Sequence, residues 1–257
     1  MNIRKILRAL YSIYGFICFL VLMLLLFPAF LVASFFGRIR GGNIIYKVCR
    51  LWGDTWFILL GIRHRNIFET PHDRNKQYVF VSNHISYLDI PVMLKTVRKQ
   101  NIRILGKAEM AKIPLFGFIY KNAAVMVDRS SAAHRTKSVH VLKSVLRKNI
   151  SVYICPEGTF NTTNAPLKDF YDGAFKIAIE MQTPIKPIIL LDTYDRLHFN
   201  NILSLNPGRS RSVYLRETVT KGMTMADVST LKTTIYQQME ETLIRYGATW
   251  IKPGDGQ

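Results

Sequence analysis

Residues 77–89 read QYVFVSNHISYLD, and this stretch decides both the fold class and the chemistry of the chain. Its first part, 77–82, is apolar and rich in β-branched and aromatic residues, which is typical of a buried strand. His84 follows directly, at the end of that strand, where α/β folds commonly place reactive groups. The stretch therefore predicts a strand that delivers His84 to the edge of a sheet.

The spacing of His84 and Asp89 suits acid–base chemistry. Histidine is the side chain best able to remove a proton near neutral pH. A carboxylate five residues on, across a tight turn, can hold the other ring nitrogen and stabilise the imidazolium that forms. The same spacing also fits a histidine at a helix cap with an incidental aspartate, so the pair alone leaves both interpretations open.

Outward from this stretch, short strand-like runs alternate with helical patterns. We expect helices at 131–148, 172–181 and 226–246, where apolar residues recur at helical spacing. We expect strands at 77–82, 102–106, 123–127, 151–155, 185–191 and 211–219. Such alternation is typical of an α/β fold with a mostly parallel sheet flanked by helices.

The composition limits the classes of molecule that the protein is expected to bind. The 257 residues carry 35 Lys+Arg against 17 Asp+Glu, a net charge of +18. This balance attracts nucleic acid, anionic lipid or acidic carriers, but no pattern of a nucleic-acid-binding module is present. Cys18, Cys49 and Cys155 form neither a disulfide framework nor a metal-ligand spacing, and Cys155 is expected to be a small buried hydrophobe. We expect no metal.

The amino-terminal part is apolar and flanked by basic residues. No charge occurs over 9–36, a run of roughly 42 Å as a straight helix, against a hydrocarbon core of about 30 Å. Pro28 could break it, so both a spanning helix and a hairpin that dips into one leaflet remain open. Basic residues on both flanks favour the cytoplasmic side of an anionic membrane. The apolar stretch 52–62 is expected to be interfacial, which gives membrane-anchoring helices over 1–64 and an α/β domain over 65–257.

Four blocks of this sequence resemble the motifs of the glycerolipid acyltransferase family, which comprises glycerol-3-phosphate and lysophosphatidate acyltransferases. Its bacterial 1-acyl-glycerol-3-phosphate branch is the most similar, and the resemblance covers roughly residues 65–220. The blocks are Asn-His-x-Ser-x-x-Asp at 83–89, Gly-Lys-Ala-Glu, Ile-Pro-Leu-Phe-Gly and Val-Asp-Arg between 106 and 129, Pro-Glu-Gly-Thr at 156–159, and Thr-Pro-Ile-Lys-Pro at 183–187.

The resemblance implies a reaction and its site. The enzyme would transfer a fatty acyl group from acyl-CoA or acyl carrier protein to the hydroxyl of 1-acyl-glycerol-3-phosphate, giving phosphatidic acid in phospholipid synthesis. His84 would be the general base and Asp89 its orienting partner. Substrate contacts would come from Lys107, Arg129, Glu157, Gly158 and Thr159. No cofactor is expected beyond the thioester co-substrate.

One residue departs from the family motif, and it affects the prediction of the acceptor. The family usually continues the third motif with an arginine that binds phosphate, whereas this chain has Phe160. Phosphate recognition would then rest on Lys107, Lys121, Arg129 or Lys168, or the acceptor would be a lyso-aminolipid or another lysophospholipid.

Two other classes of protein fit the sequence less well. A non-catalytic membrane module that binds lipid would have no use for a base. A serine hydrolase would want a Gly-x-Ser-x-Gly elbow, and the sequence has none. The prediction is therefore a membrane-bound acyltransferase with a lysophospholipid acceptor, an active site on the cytoplasmic side and no nucleic-acid partner.

Overall fold

A computed structural model describes residues 3–127 and 132–252 of the chain. The helices in this part are α1 Ile3–Ser34, α2 Gly42–Leu59, α3 Asp89–Thr96, α4 Phe116–Ala123, α5 Ala132–Leu146, α6 Gly173–Glu180, α7 Thr193–Arg196 and α8 Val228–Arg245. A π-helical turn, Gly37–Gly41, joins α1 to α2.

In the described part of the chain, seven strands form one sheet in the order β1-β7-β6-β2-β5-β3-β4. The strands are β1 Ile62–Phe68, β2 Val79–Ser82, β3 Ile102–Lys107, β4 Val125–Val127, β5 Ser151–Ile154, β6 Ile185–Leu190 and β7 Gly208–Tyr214. Strands β6, β2, β5, β3 and β4 run parallel, and β7 is antiparallel to β6. This arrangement confirms the predicted α/β class with a mostly parallel sheet.

The alternation of side chains along β2 creates two hydrophobic cores. Because successive residues of a strand point to opposite faces, Val79 and Val81 pack into one core with α5, α6 and α8. Tyr78 and Phe80 pack into the other, with α1, α2 and α3. Both faces of β2 are therefore covered, and the strand has the apolar composition that a buried parallel strand needs.

β1 was not predicted, and its position changes the expected organisation of the amino terminus. The interfacial segment is expected to run to residue 62, but Ile62–Phe68 pairs in parallel with β7 along the whole length of both strands. The expected boundary between residues 64 and 65 therefore falls inside a strand. Residues 63–66 are all polar, and burial alternates along most of IRHRNIF, which suits an edge strand with one face toward water.

α1 continues through Pro28, the position at which the sequence left a break open. The chain reverses instead at the π-helical turn, and α2 returns antiparallel to α1. Trp56 Nε1 donates to the Gly15 carbonyl oxygen at 2.8 Å, and the Tyr11 hydroxyl donates to the Leu60 carbonyl oxygen. The buried guanidinium of Arg103, at the start of β3, donates to main-chain oxygens of the turn.

α1 is long and apolar enough to cross a membrane. Residues 3–127 and 132–252 contain one helix of this kind. Many of its side chains are exposed, among them Leu7, Leu10, Ile17, Leu24, Leu25 and Val32. The amino-terminal segment is thus a helix pair that packs on the sheet by one side and leaves an apolar surface on the other.

Candidate active site

The site begins where β2 ends, and Asn83 fixes the chain there. This buried amide forms two hydrogen bonds with the main chain of Leu190, the last residue of β6. Its Nδ2 donates to the Leu190 carbonyl oxygen at 3.0 Å, and its Oδ1 accepts from the Leu190 amide at 2.8 Å. Asn83 thereby locks the start of the His84 loop to the neighbouring strand.

Asp89 is the first residue of α3, and its buried carboxylate organises the loop that precedes it. Oδ2 accepts from the Ile85 amide at 2.7 Å, from the Ser86 amide at 2.9 Å and from His84 Nδ1 at 2.8 Å. These donors fix the carboxylate, and the carboxylate in turn fixes the plane of the imidazole.

The histidine is placed to exchange a proton with a bound molecule. Its side chain is 20 % exposed, whereas that of Asp89 is fully buried. Because Nδ1 donates to Asp89, Nε2 is the ring nitrogen left to accept a proton. The pair has the geometry of a general base with its orienting acid. The catalytic roles of the two residues stay a prediction.

Glu157 lies beneath this loop with main-chain partners. Its side chain is 1 % exposed. Oε1 accepts from the His84 amide at 2.8 Å, and Oε2 accepts from the Lys168 amide at 2.9 Å. Burial raises the pKa of this carboxyl to about 8. The resemblance implies that Glu157 holds the glycerol part of a substrate, but in this structure both oxygens are engaged by the protein itself.

The loop after β5 wraps over the Glu157 carboxylate. The Gly158 amide donates to the Cys155 carbonyl oxygen at 3.0 Å, and Gly158 adopts a φ of +73°, which favours glycine. The Asn161 amide donates to the His84 carbonyl oxygen at 2.7 Å. Thr159 Oγ1 accepts from the Lys168 ammonium at 2.8 Å. Gly158 and Thr159 therefore lie in the loop that contacts His84.

Phe160, the residue that departs from the family motif, packs on the histidine. Its ring centroid lies 4.4 Å from that of His84 and 4.8 Å from that of Tyr87, both in edge-to-face geometry. Such contacts contribute about 0.5–1.5 kcal/mol each beyond area burial. One side of the imidazole is thus covered by an aromatic ring, where the family pattern has a cation.

The structure does not place all of the predicted cationic side chains close to His84. Lys107 ends β3 at the same sheet edge, but β5 lies between β3 and β2, so the two backbones are about 10 Å apart. Lys121 is near the opposite edge, where Arg38 donates to its carbonyl oxygen. Lys168 is held beside Thr159, in the site. Arg129 lies outside the described residues.

Cys155 is not available as a nucleophile. It is partly buried against the core that contains α1, α2 and α3, and its Sγ lies 3.7 Å from Ser82 Oγ. Burial raises the pKa of the Cys155 thiol well above its usual range. A thiol rather than a thiolate therefore occupies this position near neutral pH.

Comparison with known proteins places this geometry in a family. The sequence model of the family described as Acyltransferase matches residues 62–191. This is half of the chain, and it contains His84, Asp89 and the whole Glu157 loop. The chain belongs to the acyltransferase family. The result confirms the resemblance seen in the motifs and identifies the protein as an enzyme, an acyltransferase.

Individual relatives agree with this assignment. The acyltransferase is 32% identical over 162 residues to the 1-acyl-sn-glycerol-3-phosphate acyltransferase of Cocos nucifera, a match that covers 62% of this chain and half of the relative. It is 27% identical over 235 residues to the beta enzyme of that name from Homo sapiens, covering 88% and 82%. The crystal structure of the 1-acyl-sn-glycerophosphate acyltransferase PlsC from Thermotoga maritima superposes with a TM-score of 0.74 at 21% identity, covering 95% and 99%, and shares the fold.

Sequence reasoning missed the roles of Asn83 and Asn161. Asn83 lies within the first motif and Asn161 shortly after the third, so their positions carried a signal. Their contacts in the site, from the Asn83 side chain to Leu190 and from the Asn161 main-chain N–H to His84, join residues that are distant in sequence. Leu190 is 107 residues from Asn83, and a contact at such a separation is not readable from local spacing. The acyltransferase loop thus depends on the side chain of Asn83 and on the main-chain N–H of Asn161, and no local pattern assigns either contact.

Proposed function

We propose that this acyltransferase moves a fatty acyl group from a thioester to the hydroxyl of 1-acyl-glycerol-3-phosphate, giving phosphatidic acid in phospholipid synthesis. The observation that carries the proposal is the 2.8 Å hydrogen bond between His84 Nδ1 and Asp89 Oδ2, with the histidine partly exposed and the aspartate buried. The names of the Cocos nucifera and Homo sapiens relatives support the acceptor.

In the proposed step, the acceptor hydroxyl loses its proton to His84 Nε2 as its oxygen attacks the thioester carbonyl carbon. The tetrahedral adduct then collapses and breaks the carbon–sulfur bond. The proton on His84 passes to the leaving thiolate, which yields an ester and a free thiol. Asp89 stabilises the imidazolium between these two transfers. Because the thioester is already activated, the step needs no metal and no redox cofactor.

The acyl donor is proposed to be acyl-CoA or acyl carrier protein. Both are acidic, and the chain carries a net charge of +18, so long-range attraction would favour their encounter. For the acceptor we propose contacts from Lys107, from Gly158 and Thr159 in the loop over His84, and from Arg129. Lys168 is a further candidate, because its ammonium lies beside Thr159.

We also propose that the acyltransferase works on an anionic membrane, with its active site on the cytoplasmic side. The apolar exposed surface of α1 and the basic residues at both of its ends support this location. A single helix through Pro28 supports an α1 that enters the bilayer as one rigid piece.

Phe160 favours a second acceptor class. An aromatic ring packed on His84 provides no charge for a phosphate, whereas it can contact an apolar or zwitterionic molecule. A lyso-aminolipid or another lysophospholipid is therefore the alternative acceptor for the same chemistry.

The test compares acceptors on the full-length protein in detergent. Free thiol is measured from acyl-CoA and from acyl carrier protein with lysophosphatidate, lysophosphatidylethanolamine or a lyso-aminolipid. The proposal expects the highest kcat/KM with lysophosphatidate. A higher value with one of the other lipids would transfer the proposal to that acceptor. No acceptor-dependent release from either donor would overturn it in favour of a non-catalytic lipid-binding module.

A further inference from the structure

Glu157 connects two segments that are far apart in sequence. Its carboxylate lies between the loop after β2 and the segment that leads into α6. One oxygen accepts from the His84 amide at 2.8 Å, and the other accepts from the Lys168 amide at 2.9 Å. A single buried side chain thus sets the separation of these two main-chain segments.

The main chain of His84 is held on both sides by one loop. Glu157 accepts from its amide, and the Asn161 amide donates to its carbonyl oxygen at 2.7 Å. Asp89 holds the ring and the amides of the next two residues, but not the main chain of His84 itself. The position of the imidazole therefore depends on the loop after β5 as well as on α3.

Lys168 is held at both of its ends by the same loop. Its amide donates to Glu157, and its ammonium donates to Thr159 Oγ1 at 2.8 Å. The cation consequently keeps a fixed place beside the loop that contacts His84.

Glu157 itself is poorly placed to bind an acceptor. It is 1 % exposed, and each carboxylate oxygen already accepts from a main-chain amide. A substrate hydroxyl would have to displace one of these amides, which would leave a buried N–H group unpaired.

We propose that Glu157 is a positioning residue that clamps the His84 and Lys168 main chains together, and so sets the distance between the general base and the cation that receives the acceptor's anionic headgroup. This role rests on the proposed function. It replaces the direct contact with the glycerol part that the family resemblance implies. The clamp acts on the chemical step because a base displaced by about 1 Å can lose on the order of 100-fold in rate.

Kinetics of Glu157→Gln and Glu157→Ala test the clamp. Glutamine keeps one acceptor oxygen, whereas alanine keeps none. We expect kcat to fall in the order wild type, Gln, Ala, by about 10-fold or more for Ala, while KM for the acceptor changes less than about 3-fold. Hydrolysis of the thioester by water should fall in parallel. Glu217→Gln, at the opposite sheet edge beside Lys76, is the matched control and should keep wild-type values.

The opposite kinetic pattern would overturn the proposal. If KM for the acceptor rises strongly while kcat and hydrolysis by water are unchanged, Glu157 binds the acceptor directly. If the Gln and Ala variants both match the wild type, no clamp operates.

Amide hydrogen exchange tests the clamp without relying on activity. In the Glu157→Ala or Glu157→Gln protein, the peptides that contain His84 and Lys168 should exchange faster than in the wild type, while peptides of α8 should not change. Unchanged exchange at both positions would overturn the clamp. A wild-type protein that transfers no acyl group would refute the proposed function alone, since the exchange result still decides whether the clamp exists.

Discussion

Two buried carboxylates lie on either side of His84, and their partners give them different roles. Asp89 bonds the ring, and Glu157 bonds the main chain. The first pairing was predictable, because both residues lie in one turn between a strand and a helix. The second was not, because Glu157 is 73 residues from His84 in sequence. Local spacing finds residues that touch within a turn, whereas contacts between loops require the folded sheet.

At this scale the raised pKa of Glu157 predicts a pH dependence of stability. Burial raises the pKa in the folded protein to about 8, from an ordinary value of 4.5. Protonation of this carboxyl therefore favours the folded state. The stabilisation is complete below about pH 4.5 and is lost as the pH rises through about 8.

The measurement is the Tm in detergent at pH values between 5 and 9. We expect the Tm of the wild type to fall over this range by more than that of Glu157→Gln, which lacks the titrating group. Glu217→Gln controls for a Glu-to-Gln change elsewhere in the protein. Parallel curves for the wild type and Glu157→Gln would show that Glu157 does not titrate with a raised pKa.

At the scale of elements, apolar β-branched runs predicted most strands to within a few residues, because strands buried on both faces must be apolar. β1 escaped prediction because an edge strand can be half polar. β7 was expected at 211–219 but spans Gly208–Tyr214. Its antiparallel direction has no signature in its own residues. A break at Pro28 was one of two alternatives left open by the sequence, and the reversal occurs instead at the π-helical turn, where Gly41 packs against the main chain of Ala33.

That close packing predicts a glycine requirement at one end of α2. A Cβ on Gly41 would lie 2.2 Å from the Ala33 carbonyl oxygen, whereas one on Gly53 would meet nothing within 4 Å. Gly41→Ala should therefore open the turn and lower the free energy of unfolding by about 1–3 kcal/mol. Gly53→Ala should be neutral or stabilise by up to about 1 kcal/mol, because alanine is the better helix former.

Thermal unfolding of the two variants in the same detergent measures this difference. A Tm for Gly41→Ala at or above that of Gly53→Ala would contradict the packing of the turn.

At the scale of the whole molecule, the sheet has two covered faces with different outer surfaces. One face of the sheet is covered by α1 and α2, and the outer surface of α1 carries exposed apolar side chains. The other face is covered by helices that include α8. Leu24 and Leu25 on α1 are 55% and 70% exposed. An apolar surface of this kind on a protein with a net charge of +18 suits an anionic bilayer, where burial of apolar area and attraction to headgroups add.

Binding to anionic vesicles tests whether the apolar surface of α1 faces the bilayer. The double variant Leu24→Glu, Leu25→Glu should bind at least about 100-fold more weakly than the wild type, because burying each leucine contributes about 1.5–3 kcal/mol and the added charges are repelled. Ile244→Glu changes a 58% exposed side chain on α8 and should bind like the wild type. If sedimentation shows equal loss for both proteins, α1 is not the membrane surface.

We propose that His84, oriented by Asp89, takes the proton of a lysolipid hydroxyl. The most direct measurement is mass spectrometry of the diacyl product formed from a labelled acyl thioester and lysophosphatidate. The proteins compared are the wild type, His84→Ala and His140→Ala, the last of which changes an exposed histidine on α5. We expect His84→Ala to lose at least about 100-fold in product formation, while its Tm and vesicle binding stay at wild-type values and His140→Ala remains fully active. Product formed at the wild-type rate by a folded His84→Ala protein would contradict it.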